Sequence, residues 1–468
     1  MTWIHPLFSK LSRHVSISKY LSISCCFTHN ISSNLDPQNN ANNDYSSQDW
    51  AKTISTQITN CTNIHQLNQI YAHVIRTHML HLYTAPFYWN TIIRAYTRFC
   101  SPSKALYVSI AMSRAGVYPD TYTLPVVLKA VSQENKISIV RQLHTVAMKH
   151  GLETNLFCES GFISLYAKAG EFDDALKLFD ESPERHLGSW NAVIGGLSQG
   201  GRAREAVDMF LELKRSGLEP DDLTMVSLTS ACGTLGNLGL ALQLHKCVFQ
   251  AKTLHKSDIL MSNSLVDMYG KCGRMDLAYR VFSRMRERNV SSWTSLIVGY
   301  AIHGHVNEAL QSFHRMQEAS VKPNGVTFVG VLSACVHGGL VHEGKQYFRM
   351  MKNEYGIEPW LQHYGCMVDL LSRCGLLEEA REMVEEMPME GNVVIWGSLM
   401  GGCEKYGNVK MGEWVGKHLQ EMEPWNDGVY VVMSNIYASN GLWEDVGRMR
   451  RIMKERRLAK IPGYSLGT

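Results

Sequence analysis

The residues in this chain that could do chemistry are polar pairs held in a repeated frame. "SWNAVIGGLSQGGRAREAVDMFLELKRSGLEPD" (189–221) recurs as "SWTSLIVGYAIHGHVNEALQSFHRMQEASVKPN" (292–324). The frame is kept, but Asn191 gives way to Thr294 and Asp221 to Asn324. A side-chain amide carries donors and an acceptor, a carboxylate acceptors alone, and a hydroxyl both. Exchanges among them change what can be hydrogen-bonded, which is recognition chemistry. Bond-making chemistry has no comparable signature. Twelve cysteines stand singly apart from Cys25-Cys26, and without a C-x-x-C they give no disulfide scaffold, zinc ribbon or redox motif. Nineteen histidines yield neither H-E-x-x-H nor H-x-E, and His303-x-His305 has no further ligand near it in sequence. No phosphate-binding G-x-x-x-x-G-K-[ST] loop occurs, and the letters G-x-S-x-G at 196–200 fall inside the repeated helical frame rather than on a strand-to-helix elbow. The expectation is a protein that is no enzyme, with no metal and no cofactor.

The elements that must position those pairs are legible as an internal repeat. Trp89, Trp190, Trp293 and Trp396 recur at spacings of 101, 103 and 103. Within that period a G-x4-A-x3-[F/V] pattern reads Gly170-Ala175-Phe179, Gly201-Ala206-Phe210, Gly273-Ala278-Phe282, Gly304-Ala309-Phe313 and Gly375-Ala380-Val384. Each Gly suits the end of a first helix, where the turn needs positive φ. Ala and Phe four apart share one face of a second helix, the small one admitting a close neighbour and the large one filling space. A later Gly, such as Gly217, and the Pro after it close the second helix. One such hairpin cannot bury its own apolar face, but a stack shares a continuous core. The expected fold is therefore all-α, an α-solenoid of helix-turn-helix repeats. Nine units follow in register: 86–120, 121–155, 156–186, 187–221, 222–258, 259–289, 290–324, 325–360 and 361–392. They alternate long, long and short. The short ones share "LYAKAG" (165–170), "MYGKCG" (268–273) and "LLSRCG" (370–375), and two of the long ones share "QLH" at 142–144 and 243–245.

Composition sets the limits around this array. Hydrophobic content of 45% is globular, and no apolar run of 18 residues is present to span a bilayer, so no membrane partner is expected. Residues 1–35 hold Lys10, Arg13, Lys19 and eight Ser with no acid before Asp36, as expected of an organelle transit peptide. The remaining chain carries 43 basic and 43 acidic residues, so net charge announces no nucleic-acid partner and any such site must be local.

The length alternation and these motifs resemble the plant pentatricopeptide repeat proteins of the P-L-S subclass, over residues 86 to about 463. Residues 393–465 resemble the E-type extension of members that act in organellar cytidine-to-uridine RNA editing. The DYW-type deaminase domain of some relatives is not matched, and the H-x-E and C-x-x-C that a zinc deaminase needs are missing. The resemblance implies a right-handed superhelix that binds single-stranded organellar RNA. It also implies a DYW-type deaminase and other editing factors recruited through the extension, and the mitochondrion as destination, with the plastid as alternative. Residues 51–80 look like a degenerate long repeat, and "HLYTA" (81–85) stands where a short repeat is expected. In the first unit Cys100 replaces the turn glycine, which puts that hairpin in question.

In this family the fifth and last residues of a unit together select one base, whose Watson–Crick edge single-stranded RNA leaves open. Carried over, the pairs are Asn90/Asp120, Ser160/His186, Asn191/Asp221, Asn263/Asn289, Thr294/Asn324 and Gly365/Asn392. Asn with Asp implies uracil, Asn with Asn a pyrimidine (cytosine first), and Thr with Asn adenine. The long units offer Pro125/Asn155, Val226/Asp258 and Val329/Trp360, whose apolar fifth residues cannot hydrogen-bond a base. Read from the 5′ end, the nine units propose U-n-n-U-n-Y-A-n-n. Second residues sandwich the base; Phe87 and Leu260 suit that, whereas Gly188 and Ser291 imply weaker units. For any single polar residue the bland reading is a solvated helix start. Two other functions compete: an RNA splicing, stability or translation factor of the same fold, and a tetratricopeptide-like protein-binding scaffold.

Overall fold

The computed structural model describes residues 47–76, 85–133, 136–250 and 259–456. The expected leader 1–35, most of the 81–85 segment, Asp258 and the end of the extension beyond 456 lie outside the described residues. The described residues form 24 helices and no strand. They fall in two compact units, Met1–Pro119 and Asp120–Thr468.

The first unit contains α1 (Ser47–Asn60), α2 (Ile64–Arg76), α3 (Pro86–Arg98) and α4 (Pro102–Arg114). Proline opens α3 and α4, where a missing N–H costs nothing. Trp89, Ile92, Ile93 and Tyr96 of α3 are buried in this unit, as are Leu67, Tyr71 and Val74 of α2. The α3–α4 hairpin forms although Cys100 replaces glycine, and Cys100 takes φ 50°, the strained left-handed geometry.

The second unit comprises α5 (Thr123–Val131), α6 (Ile137–Lys149), α7 (Leu156–Lys168), α8 (Phe172–Asp180), α9 (Leu187–Gln199), α10 (Ala203–Arg215), α11 (Asp222–Leu235) and α12 (Leu238–Gln250). It continues through α13 (Ile259–Lys271), α14 (Met275–Arg284), α15 (Val290–Ile302), α16 (Val306–Glu318), α17 (Gly325–Gly338), α18 (Val341–Asn353), α19 (Leu361–Arg373) and α20 (Leu377–Glu386). The extension adds α21 (Val393–Tyr406), α22 (Val409–Met422), α23 (Asp427–Ser439) and α24 (Trp443–Glu455). Odd-numbered helices pack one on the next from α5 to α23, and even-numbered ones pack against their own partner, most also touching the following odd helix. This is a solenoid, with the odd helices as its continuous layer.

The repeated residues act as expected of them. Gly170, Gly201, Gly273, Gly304 and Gly375 all have φ between 70° and 84°. Ala175, Ala206, Ala278, Ala309 and Ala380 are buried, as are Phe179, Phe282, Phe313 and Val384. Phe179 meets Trp190 edge-on at 4.7 Å, and Phe282 meets Trp293 at 4.8 Å. The last core runs without a break from Val368 through Val384 into Ile395, Trp396, Tyr430 and Met449, so the extension is fused to the final repeat.

Several odd helices also satisfy carbonyls that the preceding one leaves unpaired at its C-terminus. Lys168 Nζ donates to the Ser132 carbonyl, His303 Nε2 to Gly270 O (2.6 Å), Lys405 Nζ to Arg373 O (2.9 Å) and Asn440 Nδ2 to Gly407 O (3.0 Å). The exposed His303 thus has a structural partner.

A second recurring link joins long to short units. His144 Nδ1 bonds Tyr166 Oη at 3.0 Å, and His245 Nδ1 bonds Tyr269 Oη at 2.6 Å. The third triplet has Phe348 and Leu371 at those places. His363, fully buried, receives the Trp360 N–H at Nδ1 (2.9 Å) and pairs through Nε2 with Gly325 O (2.8 Å). Desolvation holds all three imidazoles below their ordinary pKa. The unfolded chain therefore takes up protons first, at about pH 6.5, and stability falls as pH drops below that value. Melting temperature should decline from pH 7 to pH 5. Replacing His144 and His245 by Phe, as nature has it at 348, should flatten the decline; an unchanged slope would dissociate it from these links.

Candidate nucleic-acid interface

At the junctions between odd helices, the last residue of one unit is the N-cap of the next helix. Asp221 Oδ1 accepts from Thr224 N (2.8 Å), Asn289 Oδ1 from Ser292 N (3.0 Å), and Asn324 Oδ1 from Thr327 N (2.9 Å). In all three a capping box closes, because the Thr or Ser hydroxyl receives the cap residue's N–H. Asn392 caps α21 and Asn155 caps α7. The helix-start role is therefore real for the last residues. The fifth residues are different: Asn191, Asn263 and Thr294 are each only 8% exposed, set one turn into the helix.

The two positions meet across the junction. Asn191 Nδ2 donates to both Asp221 carboxylate oxygens, at 3.1 and 3.0 Å, while its Oδ1 takes the Thr224 hydroxyl at 2.5 Å. Asn263 Nδ2 donates to Asn289 Oδ1 at 3.2 Å, and Asn263 Oδ1 is buried without a protein partner. Thr294 Oγ1 lies 2.7 Å from Thr327 Oγ1, which is also 3.0 Å from Asn324 Oδ1. Either hydroxyl can donate in the bond between the two threonines, and in both cases Thr294 keeps a lone pair as acceptor capacity. One scaffold thus presents three different donor and acceptor sets.

The remaining pairs vary. Asn90 is buried in the first unit, and Asp120 opens the second, its Oδ1 taking the N–H of Tyr122 (3.0 Å) and Thr123 (2.7 Å). Ser160 Oγ bonds back to Leu156 O (2.9 Å), and the His186 ring bonds Leu156 O (3.1 Å) and Ser189 Oγ (2.8 Å). Gly365 offers no polar group, although Asn392 beyond it does. Pro125, Val226 and Val329 are half-buried, as their apolar character requires.

Beside the pairs stands a set of exposed apolar side chains. Tyr122, Phe157, Leu223, Leu260, Val326 and Val394, each the second residue after a junction, are between 46% and 71% exposed. Phe87 in the first unit is 63% exposed. Such side chains placed regularly beside polar pairs suit flat ligands that stack.

Descriptions of known families cover much of this array. The PPR repeat matches residues 160–187, 261–290, 326–355 and 363–392, the PPR repeat family matches 185–234 and 288–337, and the E motif matches 406–466. The chain is 59% identical over 420 residues to the Arabidopsis thaliana pentatricopeptide repeat-containing protein At1g77170, mitochondrial, with 90% of each covered. The chain belongs to the pentatricopeptide repeat proteins. It is also 40% identical to At2g03880, mitochondrial, from the same plant, over 81% of this chain and 59% of that one. Among solved structures it is similar to the pentatricopeptide repeat protein PPR10 in complex with an 18-nt psaJ RNA element, with a TM-score of 0.61 at 15% identity. That match covers 89% of this chain and 66% of the other, and at such identity the likeness is one of fold. Both Arabidopsis relatives are mitochondrial by name, in agreement with the expected destination.

Within the pentatricopeptide repeat array, sequence reasoning named Phe87 and Leu260 as stacking residues and passed over Tyr122, Phe157, Leu223, Val326 and Val394. Their signal was present, an apolar residue one place after the first residue of those units and of the extension. The matched E motif starts at 406, inside α21, whereas the expected extension starts at 393.

Proposed function

We propose that this pentatricopeptide repeat protein binds single-stranded mitochondrial RNA by sequence and marks a cytidine for conversion to uridine, with the deaminase supplied in trans. The observation that carries the reading is the constant junction, in which a buried fifth residue and a capping last residue present different hydrogen-bonding sets. In the Asn191/Asp221 junction the amide carbonyl is taken up by Thr224 and Nδ2 lies against the carboxylate, so the junction offers an amide N–H beside carboxylate oxygens. Uracil offers an adjacent acceptor (O4) and donor (N3–H) to match, while cytosine opposes donor with donor. The unpartnered Asn263 Oδ1 suits the cytosine amino group, and the acceptor capacity of Thr294 suits that of adenine. The solved PPR10 complex holds an RNA element, which supports RNA as the ligand class.

The editing role is supported by the E-motif match and by Trp425 and Trp443, which are 74% and 69% exposed there and suit a protein partner. The basic stretch 448–460 is partly committed internally: Arg448 pairs with Asp445 (2.8 Å) and Arg456 with Tyr430 Oη (2.6 Å). Residues 457–460 lie outside the described residues. The test uses the full chain. It should prefer U-n-n-U-n-Y-A-n-n RNA over its permutations by about tenfold or more, on the scale of 1–3 kcal/mol per mispaired base known for duplex readers. The Trp425→Ala, Trp443→Ala variant should keep that preference and lose editing when returned to plants deficient in the protein. Restored editing would remove these tryptophans from partner docking, and equal binding of all RNAs would reject sequence reading.

A further inference from the structure

We propose that the imidazole of His186 is a base-stacking platform that stands in for the side chain Gly188 lacks. The inference rests on the RNA-binding reading above. Along the second unit, second residues provide the exposed apolar surfaces Tyr122, Phe157, Leu223, Leu260, Val326 and Val394. The series is interrupted at Gly188, Ser291 and Gln362, and Gly188, between Phe157 and Leu223, is the one position with no side chain at all. The gap is filled: a Cβ built on Gly188 would lie 3.2 Å from both Cδ2 and Nε2 of His186, and 3.9 Å from Ser160 Cβ. The ring therefore occupies the volume of the missing side chain, beside the fifth residue of its own unit.

The ring is also held there. One nitrogen is engaged by Leu156 O at 3.1 Å and the other by Ser189 Oγ at 2.8 Å. Ser189 Oγ also lies 2.7 Å from the buried Glu159 Oε1, whose other oxygen takes the Ser182 hydroxyl at 2.9 Å. With both polar edges committed, what the half-buried His186 can offer a ligand is a face of its ring. It serves as a surface rather than a reader of base edges, and the Ser160/His186 pair specifies no letter. The slot of unit 156–186 then lies between Phe157 and His186, and the slot read by Asn191/Asp221 between His186 and Leu223. The unit that opens with Gly188 is thereby not weakened.

The experiment measures binding of the full chain to the U-n-n-U-n-Y-A-n-n RNA, and to the same RNA made abasic at its third and fourth nucleotides. Wild type is compared with His186→Ala and His186→Phe. Stacking predicts that His186→Ala loses about five- to twentyfold in affinity for the intact RNA, and nearly nothing for the abasic one. His186→Phe keeps a flat ring without either hydrogen bond, and should stay within about twofold of wild type. Equal losses by His186→Ala on intact and abasic RNA would overturn the platform in favour of a purely structural role. So would no loss at all, or a His186→Phe loss matching that of alanine. Wild-type indifference between the tract and its permutation would strike the sequence-reading proposal instead. The abasic comparison would still decide the ring, because stacking requires bound RNA and not a preferred sequence.

Discussion

Replacing Thr294 by Asn moves the preference of its unit from adenine toward cytosine. Thr294 and Asn263 sit at the same place in their helices with the same 8% exposure, and both face an asparagine cap, Asn324 and Asn289. The site already accommodates an amide in the sister units, so the exchange alters chemistry more than packing. The wild-type hydroxyl pairs with that of Thr327 and keeps acceptor capacity on a short side chain. The introduced amide reaches further outward. It reproduces the Asn-with-Asn arrangement in which Nδ2 donates to the cap and a carbonyl oxygen is left over. A longer reader leaves less room for a purine, and its carbonyl matches the cytosine amino group. Two RNAs differing only at the seventh nucleotide should exchange rank, the ratio of their affinities moving by about 10- to 100-fold, equivalent to roughly 1–3 kcal/mol. If the variant weakens both RNAs equally, Thr294 is a buried helix residue and the register of the whole tract is wrong.

What could be read from the sequence was whatever the stack forces to recur. Turn glycines were legible because a left-handed residue is needed at every hairpin, and Gly170 through Gly375 adopt it. Buried Ala and Phe were legible because helix periodicity and the superperiod coincide. The polar pairs were legible as a register, but not as contacts. Sequence alone does not say that the Thr224 hydroxyl reaches the Asn191 carbonyl as well as its own cap Asp221, while Ser292 meets its cap Asn289 and leaves the Asn263 carbonyl unpaired. The two arrangements differ by the methyl group of Thr224 and by the carboxylate of Asp221 where the other junction has Asn289. Exposed apolar residues such as Phe157 and Val394 were hidden because an apolar letter at a helix start looks like core. The role of Cys100 ran the other way: local propensity argued against a turn, and the packing of its neighbours imposes one.

A further recurrence lay unread in the short-unit motifs, and it carries the largest expected effect on stability. A Cβ on Gly196 of α9 would stand 2.3 Å from Ala167 Cβ of α7. At the same register, Gly299 lies against Gly270, with a built Cβ 3.4 Å from its Cα, and Gly402 against Ser372, 2.9 Å from its Cβ. Each short unit thus meets the next odd helix through a seam of small residues. Gly196→Val places branched carbon where Ala167 already stands. The overlap is resolved only by separating α7 from α9, in a layer whose spacing is set by packing on both sides. We expect a loss of about 3 kcal/mol, with the gain of roughly half a kcal/mol from removing a helical glycine too small to offset it. Urea unfolding should show the loss, and RNA affinity should fall with it, because His186 and Ser160 face one another across the same pair of helices. Ala167→Gly alone should cost about 1 kcal/mol through helix propensity. Combined with Gly196→Val it should restore part of the stability, since it removes the opposing methyl and recreates the glycine at 270. A double variant no more stable than the sum of its two losses would mean that the seam does not set the spacing of these helices.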